Sequence, residues 1–379
     1  MKKIYFAAIA AVVVMFAACE NTQTPETDTT KLYPAFSTST DAWGYIDNRG
    51  NFVIQPMYDE VSDFSCGYAI VWMGDDLKFI DKKGNLQTTP SVDGASDFYH
   101  GYSTIELDDN QGLMDKNFNM AIQPYFYSLR MMGDNGLVAA KRTDDSKWEY
   151  VNAKGDTKIP AMYDYSDDFK DGLAIIKLNN KGGAINKAGD FIIQPIYENG
   201  LWNMGKGLIG FYDKNEKAGI LDKNGNTIVP TMYYDLYNVS DGLILFEGKN
   251  KYGYLDTKGN VVIPEMYYTA RPFYEGLAWV KQSNNSKYYQ CIDKNNQIVF
   301  RLGEDEYPTT GFHNGLALIQ TENGHKYIDT KGSLIYAWSY DDDNDYDWAP
   351  KKAKREQMSF RERMEEFDHM TLHFDSRKL

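Results

Sequence analysis

Gly242-Leu-Ile-Leu-Phe-Glu-Gly248, Lys251-Tyr-Gly-Tyr-Leu-Asp256, Thr257-Lys-Gly259, Asn260-Val-Val-Ile-Pro264 and Met266-Tyr-Tyr268 follow one another along the chain. Apolar and aromatic runs of four to six residues, broken by Gly, Asn and Lys, read as successive β-strands joined by tight turns. The stretch is a β-meander, and copies of it fill most of the sequence.

The copies are aligned on the acidic or amide residue that closes the middle strand: Asp47, Asp81, Asp115, Asn152, Asn186, Asp222, Asp256, Asp293 and Asp329. Neighbouring marks lie 34 to 37 residues apart, so nine units follow one another with small insertions. Three residues after the mark comes Gly50, Gly84, Gly155, Gly189, Gly225, Gly259 or Gly332, with Asn296 in the eighth unit and Phe118 as the outlier in the third. A short hairpin needs positive φ at that place, which Gly supplies without steric cost and Asn at little. These glycines are hairpin hinges, not phosphate cradles. A proline follows in most units (Pro56, Pro90, Pro124, Pro160, Pro195, Pro230, Pro264), and without an N–H to donate it is expected to end the strand. An aromatic comes next, then a connection that often carries Phe (Phe64, Phe98, Phe169, Phe273, Phe312), and then the glycine that opens the following unit.

This order of motifs resembles the WG-containing repeat family, over about residues 32–340. The name-giving pair stands at Trp43-Gly44 and drifts to Tyr252-Gly253, Gly182-Gly183 and Ala218-Gly219 elsewhere. The resemblance implies an all-β fold of tandem three- to four-stranded antiparallel meanders, and it adds fold rather than activity.

One such meander cannot bury both faces, so the units must lie against each other. A β-propeller does this, with the connection after the proline supplying a fourth, inner strand. An open β-solenoid does it too. A repeat of about 35 residues and nine units favour the open form against the usual four to eight larger blades. A first strand near 32–36, and Trp338-Ser-Tyr340 where a further inner strand would begin, favour a closed ring. The propeller-like arrangement is preferred, with the solenoid or superhelix as the alternative.

The N-terminus carries a separate signal. Lys2 and Lys3 precede an apolar run from Ile4 to Phe16, too short to span a bilayer, with the layout of a secretory signal peptide over 1–18. Its end, Phe16-Ala-Ala-Cys19, resembles the lipobox of bacterial lipoproteins. That resemblance implies lipidation at Cys19 and a cell-envelope protein held at the outer membrane, facing the periplasm or the surface. Residues 19–31 then form a flexible tether, polar throughout after the cysteine. Past the repeats, 341–379 reads as an acidic linker followed by a short amphipathic C-terminal helix with Phe360, Met364 and Phe367 on one face.

The 379-residue chain has 29 Tyr, 19 Phe, 7 Trp and 31 Gly, a supply of strand formers and turn residues. Its net charge of -14 excludes broad contact with nucleic acid or an anionic membrane surface, both of which need clustered Lys and Arg. No Walker sequence, nucleophile elbow or Cys-x-x-Cys occurs, and the recurrent acids are turn marks. No catalytic residue, metal site or cofactor is therefore expected. Cys66 and Cys291 are expected as two separate thiols, being far apart in repeat order.

The aromatic surplus carries the functional expectation. Tyr68, Tyr102, Trp202, Tyr234 and Tyr268 are candidate ligand platforms, set against the alternative that they fill gaps between sheets. The expected function is a lipid-anchored, non-catalytic binding or scaffold module for protein or glycan partners of the cell envelope. The alternative is a glycan-processing or other hydrolytic enzyme with its site in a propeller channel.

Overall fold

The computed structural model describes residues 31–339. The signal segment, Cys19, most of the tether, the acidic linker and the C-terminal helix expected from the sequence lie outside the described residues. Within them the chain is all β, with no α-helix. It forms nine antiparallel sheets, seven of four strands and two of three, each built from one contiguous stretch. They are the blades of a nine-bladed β-propeller, which replaces the open solenoid among the two expected forms.

A complete blade is well seen in the fourth: a two-residue inner strand Ser128–Leu129, then Leu137–Lys141, Trp148–Asn152 and the outer strand Thr157–Tyr163, paired in that order. The second and third strands carry the apolar runs and are almost wholly buried, whereas the outer strand buries only two positions, Ile159 and Tyr163. The core accordingly lies between blades. Leu137, Tyr150 and Ile159 of the fourth blade pack with Ala174, Ile176 and Ile185 of the fifth in one cluster. The same arrangement joins blades 6 and 7, where Trp202, Ile220 and Val229 meet Ile244, Phe246 and Leu255.

By contacts the chain divides into two compact units. The first holds blades 1 to 5, up to Ile196; the second runs on from Tyr197 and includes the turn Asn48–Gly50 of blade 1. That turn lies against the backbone of Ile335 in the outer strand of blade 9. The contact repeats one made throughout the propeller: Gly84 lies over Ile54 of the preceding blade and Gly189 over Ile159, each with its Cβ position 3.2 Å from the isoleucine Cγ2. Trp338, expected to begin a further inner strand, instead belongs to the outer strand Leu334–Ser339 and pairs with His325.

The turn chemistry follows the sequence marks. Gly50, Gly84, Gly155, Gly189, Gly225, Gly259 and Gly332 have φ between 81° and 88°, and Asn296 and Phe118 share φ 63°. The marks themselves cap the turns: Asp222 accepts the N–H groups of Asn224 and Asn226, each at 2.8 Å, and the Asn226 amide at 2.9 Å. Asp256 does the same with Lys258 and Asn260. The side-chain amides of Asn226 and Asn260, with the backbone N–H groups, hold both carboxyls below the usual carboxylate range. A group depressed in the folded state contributes stability above its unfolded pKa of about 4 and loses it as pH falls through the folded value. The urea midpoint is therefore expected to drop between pH 5 and pH 3. Replacing both aspartates by Asn, the residue that caps the turns at Asn152 and Asn186, is expected to flatten that drop.

One expectation is corrected in a way that explains the motif. Proline does not end the outer strand; Phe52–Tyr58 runs through Pro56 and Val261–Tyr267 through Pro264. Trp43 pairs with Tyr58 and Tyr45 with Ile54, so the single residue Gly44 faces three outer-strand residues including Pro56. The strand tolerates proline because it is an edge strand and bulges there. The bulged backbone crosses directly over the glycine: a Cβ at Gly44 would lie 2.6 Å from the Ile54 carbonyl oxygen and 2.7 Å from the Pro56 nitrogen. Gly112, Gly183, Gly219 and Gly253 meet the carbonyls of Ile122, Ile193, Val229 and Ile263 at 2.6 to 2.8 Å. Blades 8 and 9 lack the proline and carry Gln290 and Lys326 at the glycine's place, paired in regular register with Arg301 and Ala337. Blade 4 keeps the proline with Glu149, whose buried carboxylate is paired with Arg142 at 2.6 Å and Thr157 at 2.7 Å.

Candidate functional site

The blades differ most where the fold demands least, in the two residues that follow each inner strand. In the first unit these are Ser62 and Asp63, Ser96 and Asp97, Arg130 and Met131, and Asp167 and Asp168. In the second they include Arg271 and Pro272, whereas in blade 6 the longer inner strand Leu201–Gly205 runs through the place. The backbone here is held by a neighbouring blade. Tyr45, Tyr150 and Tyr254 of the third strands donate their hydroxyls to the carbonyl oxygens of Ser62, Asp167 and Arg271, each at 2.8 Å. Burial raises the pKa of all three phenols, so they stay protonated donors. A position whose backbone is fixed from outside and whose side chain varies from Met to Asp is free to carry function.

Arg130 and the pair Asp167–Asp168 bring charge together between blades 4 and 5. The Arg130 guanidinium lies 5.1 Å from the centre of the Trp148 ring and 4.8 Å from that of Tyr165, held between two aromatic faces. Asp167 accepts the N–H of Asp168 at 3.0 Å. The Oδ1 of Asp168 is sheltered from solvent and has no hydrogen-bond partner. Burial first, and the neighbouring Asp167 second, push its carboxyl up to about 7 against the opposing pull of Arg130. By contrast, Asp97 receives the Ser62 hydroxyl at 2.8 Å.

A carboxyl whose folded pKa lies above its unfolded one holds its proton more tightly when folded. The folded state therefore loses stability as pH rises from about 4 through the folded value. Asp168→Asn, which removes the buried charge at nearly constant shape, is expected to have a higher urea midpoint than the parent at pH 8. The difference should shrink towards pH 5.

The expected aromatic platforms separate into two groups. Trp202 is 1% exposed and sits inside the core of blades 6 and 7. Tyr68 is half-buried, with its ring 5.7 Å from Phe98 and 4.9 Å from Phe118, and Tyr102 is half-buried against the core that contains Leu113. Tyr234 and Tyr268, 44% and 45% exposed, stand at equivalent places in successive repeats, directly after the outer strand. Their backbone N–H groups bond the carbonyls of Glu247 and Lys281 at 2.8 Å, and the Lys217 ammonium lies over the Tyr234 ring. Tyr127 occupies the same place in the first unit at 48% exposure, near Lys141. The structure does not assemble the five aromatics into one surface: three pack inward, and only Tyr234 and Tyr268 present their rings to solvent.

Cys291 is a buried free thiol pushed up to about 12 by desolvation, whereas Cys66 is disulfide-bonded, so the two are not both free thiols. His325 stacks on Trp338 at 5.7 Å, and among the described residues no group of three or more His, Cys, Asp or Glu is placed to hold a metal ion.

Sequence reading missed Arg130, Asp167 and Asp168. The signal was present in Ser62-Asp-Phe64, Ser96-Asp-Phe98 and Asp167-Asp-Phe169, where an acid recurs just before the connection's phenylalanine. What the sequence does not display is which of these acids finds a partner.

The model of the WG containing repeat matches residues 43–75, 150–181, 183–217, 219–252 and 252–288, so these repeats recur across the chain. Blade 3 and blade 9 lie outside the matched segments yet have the same four-stranded order. No curated protein matches the sequence. Among solved structures, a eukaryotic initiation factor is similar at 10% identity and TM-score 0.59, over 82% of this chain and 96% of the other. BamB from Moraxella catarrhalis is 9% identical over 67% of this chain and 84% of its own, with TM-score 0.39. The dihydro-heme d1 dehydrogenase NirN in complex with DHE is 13% identical over 82% and 74%, with TM-score 0.42. At such identities the likeness to the initiation factor is one of fold.

Proposed function

We propose that this chain of WG containing repeats is a non-catalytic binding module of a bacterial cell envelope, tethered by lipid at Cys19 and presenting its blades to a protein or glycan partner. The observation that carries the reading is the pair Tyr234 and Tyr268. Two tyrosines at the same place in consecutive repeats keep nearly half their surface in solvent while the other aromatics at the expected positions are packed inward. Tyrosine offers a large flat contact at low entropic cost, with a hydroxyl at its tip. The nine-bladed scaffold holds both on backbone fixed by sheet hydrogen bonds.

Glycan, peptidoglycan and envelope-protein arrays probed with the full mature chain test this. Binding to one class is expected, and Tyr234→Ala with Tyr268→Ala is expected to reduce it at least tenfold, while stability changes by no more than about 0.5 kcal/mol because both rings are exposed. Equal binding by the double variant rejects the tyrosine surface.

The anchor is tested separately by mass spectrometry of the N-terminal peptide and by Cys19→Ser, which is expected to release the protein from membranes. Lipidation converts the Cys19 sulfur to a thioether and thereby excludes it from any disulfide. Screening chromogenic glycosides addresses the enzymatic reading, and no turnover is expected.

A further inference from the structure

We propose that Arg130, Asp167 and Asp168 form a binding site for a primary ammonium group, carried by an amino sugar or by a lysine side chain. This deepens the binding-module reading by naming the chemistry one of its sites takes.

The argument rests on what the repeat does not need. The same place holds Asp63 and Asp97 in blades 2 and 3 but Met131, Asn203 and Pro272 in blades 4, 6 and 8, so the architecture admits a carboxylate there without requiring one. Asp168 nevertheless keeps Oδ1 inside the protein without a donor, a configuration that costs stability and that natural interiors avoid. Its surroundings explain what is missing. Two carboxyls, Asp167 and Asp168, face a single cation, Arg130, whose guanidinium is engaged by the rings of Trp148 and Tyr165. The other titratable groups facing the cluster are the phenols of Tyr150 and Tyr165, and burial keeps that of Tyr150 protonated. The cluster is therefore one positive charge short, and the proton retained by Asp168 up to about 7 makes up the difference. An ammonium group supplies that charge together with N–H donors for Oδ1. A divalent metal is a poorer match, since two adjacent aspartates provide fewer ligands than the six to eight oxygens calcium takes.

Binding of an ammonium displaces the proton, and the experiment reads that exchange. Calorimetric titrations of the full mature chain with D-glucosamine and with Nα-acetyl-lysine amide are run at pH 7 in two buffers of different ionisation enthalpy. D-glucose and Nα-acetyl-norleucine amide serve as neutral counterparts. At least one amine is expected to bind with net proton release at pH 7. For Nα-acetyl-lysine amide, whose ammonium stays charged from pH 6 to 8, the release is about half a proton and binding is roughly tenfold tighter at pH 8 than at pH 6, as linkage to a carboxyl near 7 requires. Glucosamine, which loses its own charge towards pH 8, should gain less. The neutral counterparts should show no such exchange. Which amine binds distinguishes a saccharide source from a peptide source.

Asp168→Asn is expected to abolish proton release and weaken binding at least tenfold, and Asp168→Glu to restore part of both. Absence of amine binding, binding without proton release, equal binding of the neutral counterparts, or calcium binding in place of both amines would overturn the proposal. The two-buffer measurement on the parent chain stands even where a variant fails to fold. The outcome is also separable from the array experiment, since loss of binding in the Tyr234 and Tyr268 variants reports on a different unit of the chain.

Discussion

Gly44→Ala is expected to destabilise the chain by about 3 kcal/mol, the upper part of the range for overpacking a filled interior. The reason is the nature of the atoms in the way. The added methyl would meet the carbonyl oxygen of Ile54 at 2.6 Å, the nitrogen of Pro56 at 2.7 Å and the carbonyl carbon of Gln55 at 2.9 Å, all of them backbone. No rotamer change relieves such a contact; the outer strand of blade 1 has to move off the strand it pairs with. The proline ring cannot adjust its φ to help. Gly74→Ala is the control: unlike Gly44 it has positive φ, 61°, but nothing lies within 4 Å of the new methyl, so it should cost only about 1 kcal/mol, from the backbone conformation alone. Urea unfolding of both variants measures the difference. Equal costs would mean that the bulge does not enforce glycine. Glu149 shows that the position admits a side chain when the blade is built around it, here with Arg142 and Thr157 taking up the carboxylate.

Phe118 gives the second large effect, and its sign pattern is diagnostic. At the other eight marks the residue three places on is Gly or Asn at positive φ, yet Phe118 adopts φ 63° with an aromatic side chain. Blade 2 accounts for it. Its fourth strand is reduced to a single bridge between Ile80 and Leu86, and Thr88 stands where blade 1 has the buried Ile54. Blade 3 fills the space from its own turn. The Phe118 ring sits 4.9 Å from Tyr68, 5.4 Å from Phe79 and 5.7 Å from Phe98, closing an aromatic cluster.

Phe118→Ala is therefore expected to lose roughly 2 to 3 kcal/mol. That is below the ~3 to 5 kcal/mol of a fully buried phenylalanine because the ring is half-buried. Phe118→Gly removes the same ring but relieves the left-handed backbone, and should be about 1 kcal/mol less damaging than Phe118→Ala. A glycine variant more stable than the parent would show that the ring contributes nothing to blade 2. An alanine variant equal to glycine would show that the turn carries no strain.

The unit was legible in the sequence for physical reasons that act over short distances. Strand runs, the positive-φ residue three places after each mark, and the acid that caps the turn are local, and each recurs with the repeat. Even the anomalies at Phe118 and Asn296 stood at the expected register, and both adopt φ 63°. The proline was misread for an equally local reason. A missing N–H stops a central strand, whereas the outer strand is an edge and absorbs it as a bulge. That same bulge is why Gly44, Gly112, Gly183, Gly219 and Gly253 have no side chain.

The sequence by itself thus determined that this protein is a row of β-meanders with defined turns, since hairpin chemistry depends on residues only a few places apart. Its net charge of -14 also sets an expectation about partners, since nucleic acid and anionic membrane surfaces call for clustered Lys and Arg. Only the tertiary structure decided that the meanders are blades of a propeller, which aromatics reach solvent, and that Arg130 meets Asp167 and Asp168. Those outcomes depend on which faces of neighbouring sheets touch. A tyrosine that fills a gap between blades and one that points outward, such as Tyr68 and Tyr234, occupy similar words in the sequence and differ only in what the next blade places beside them.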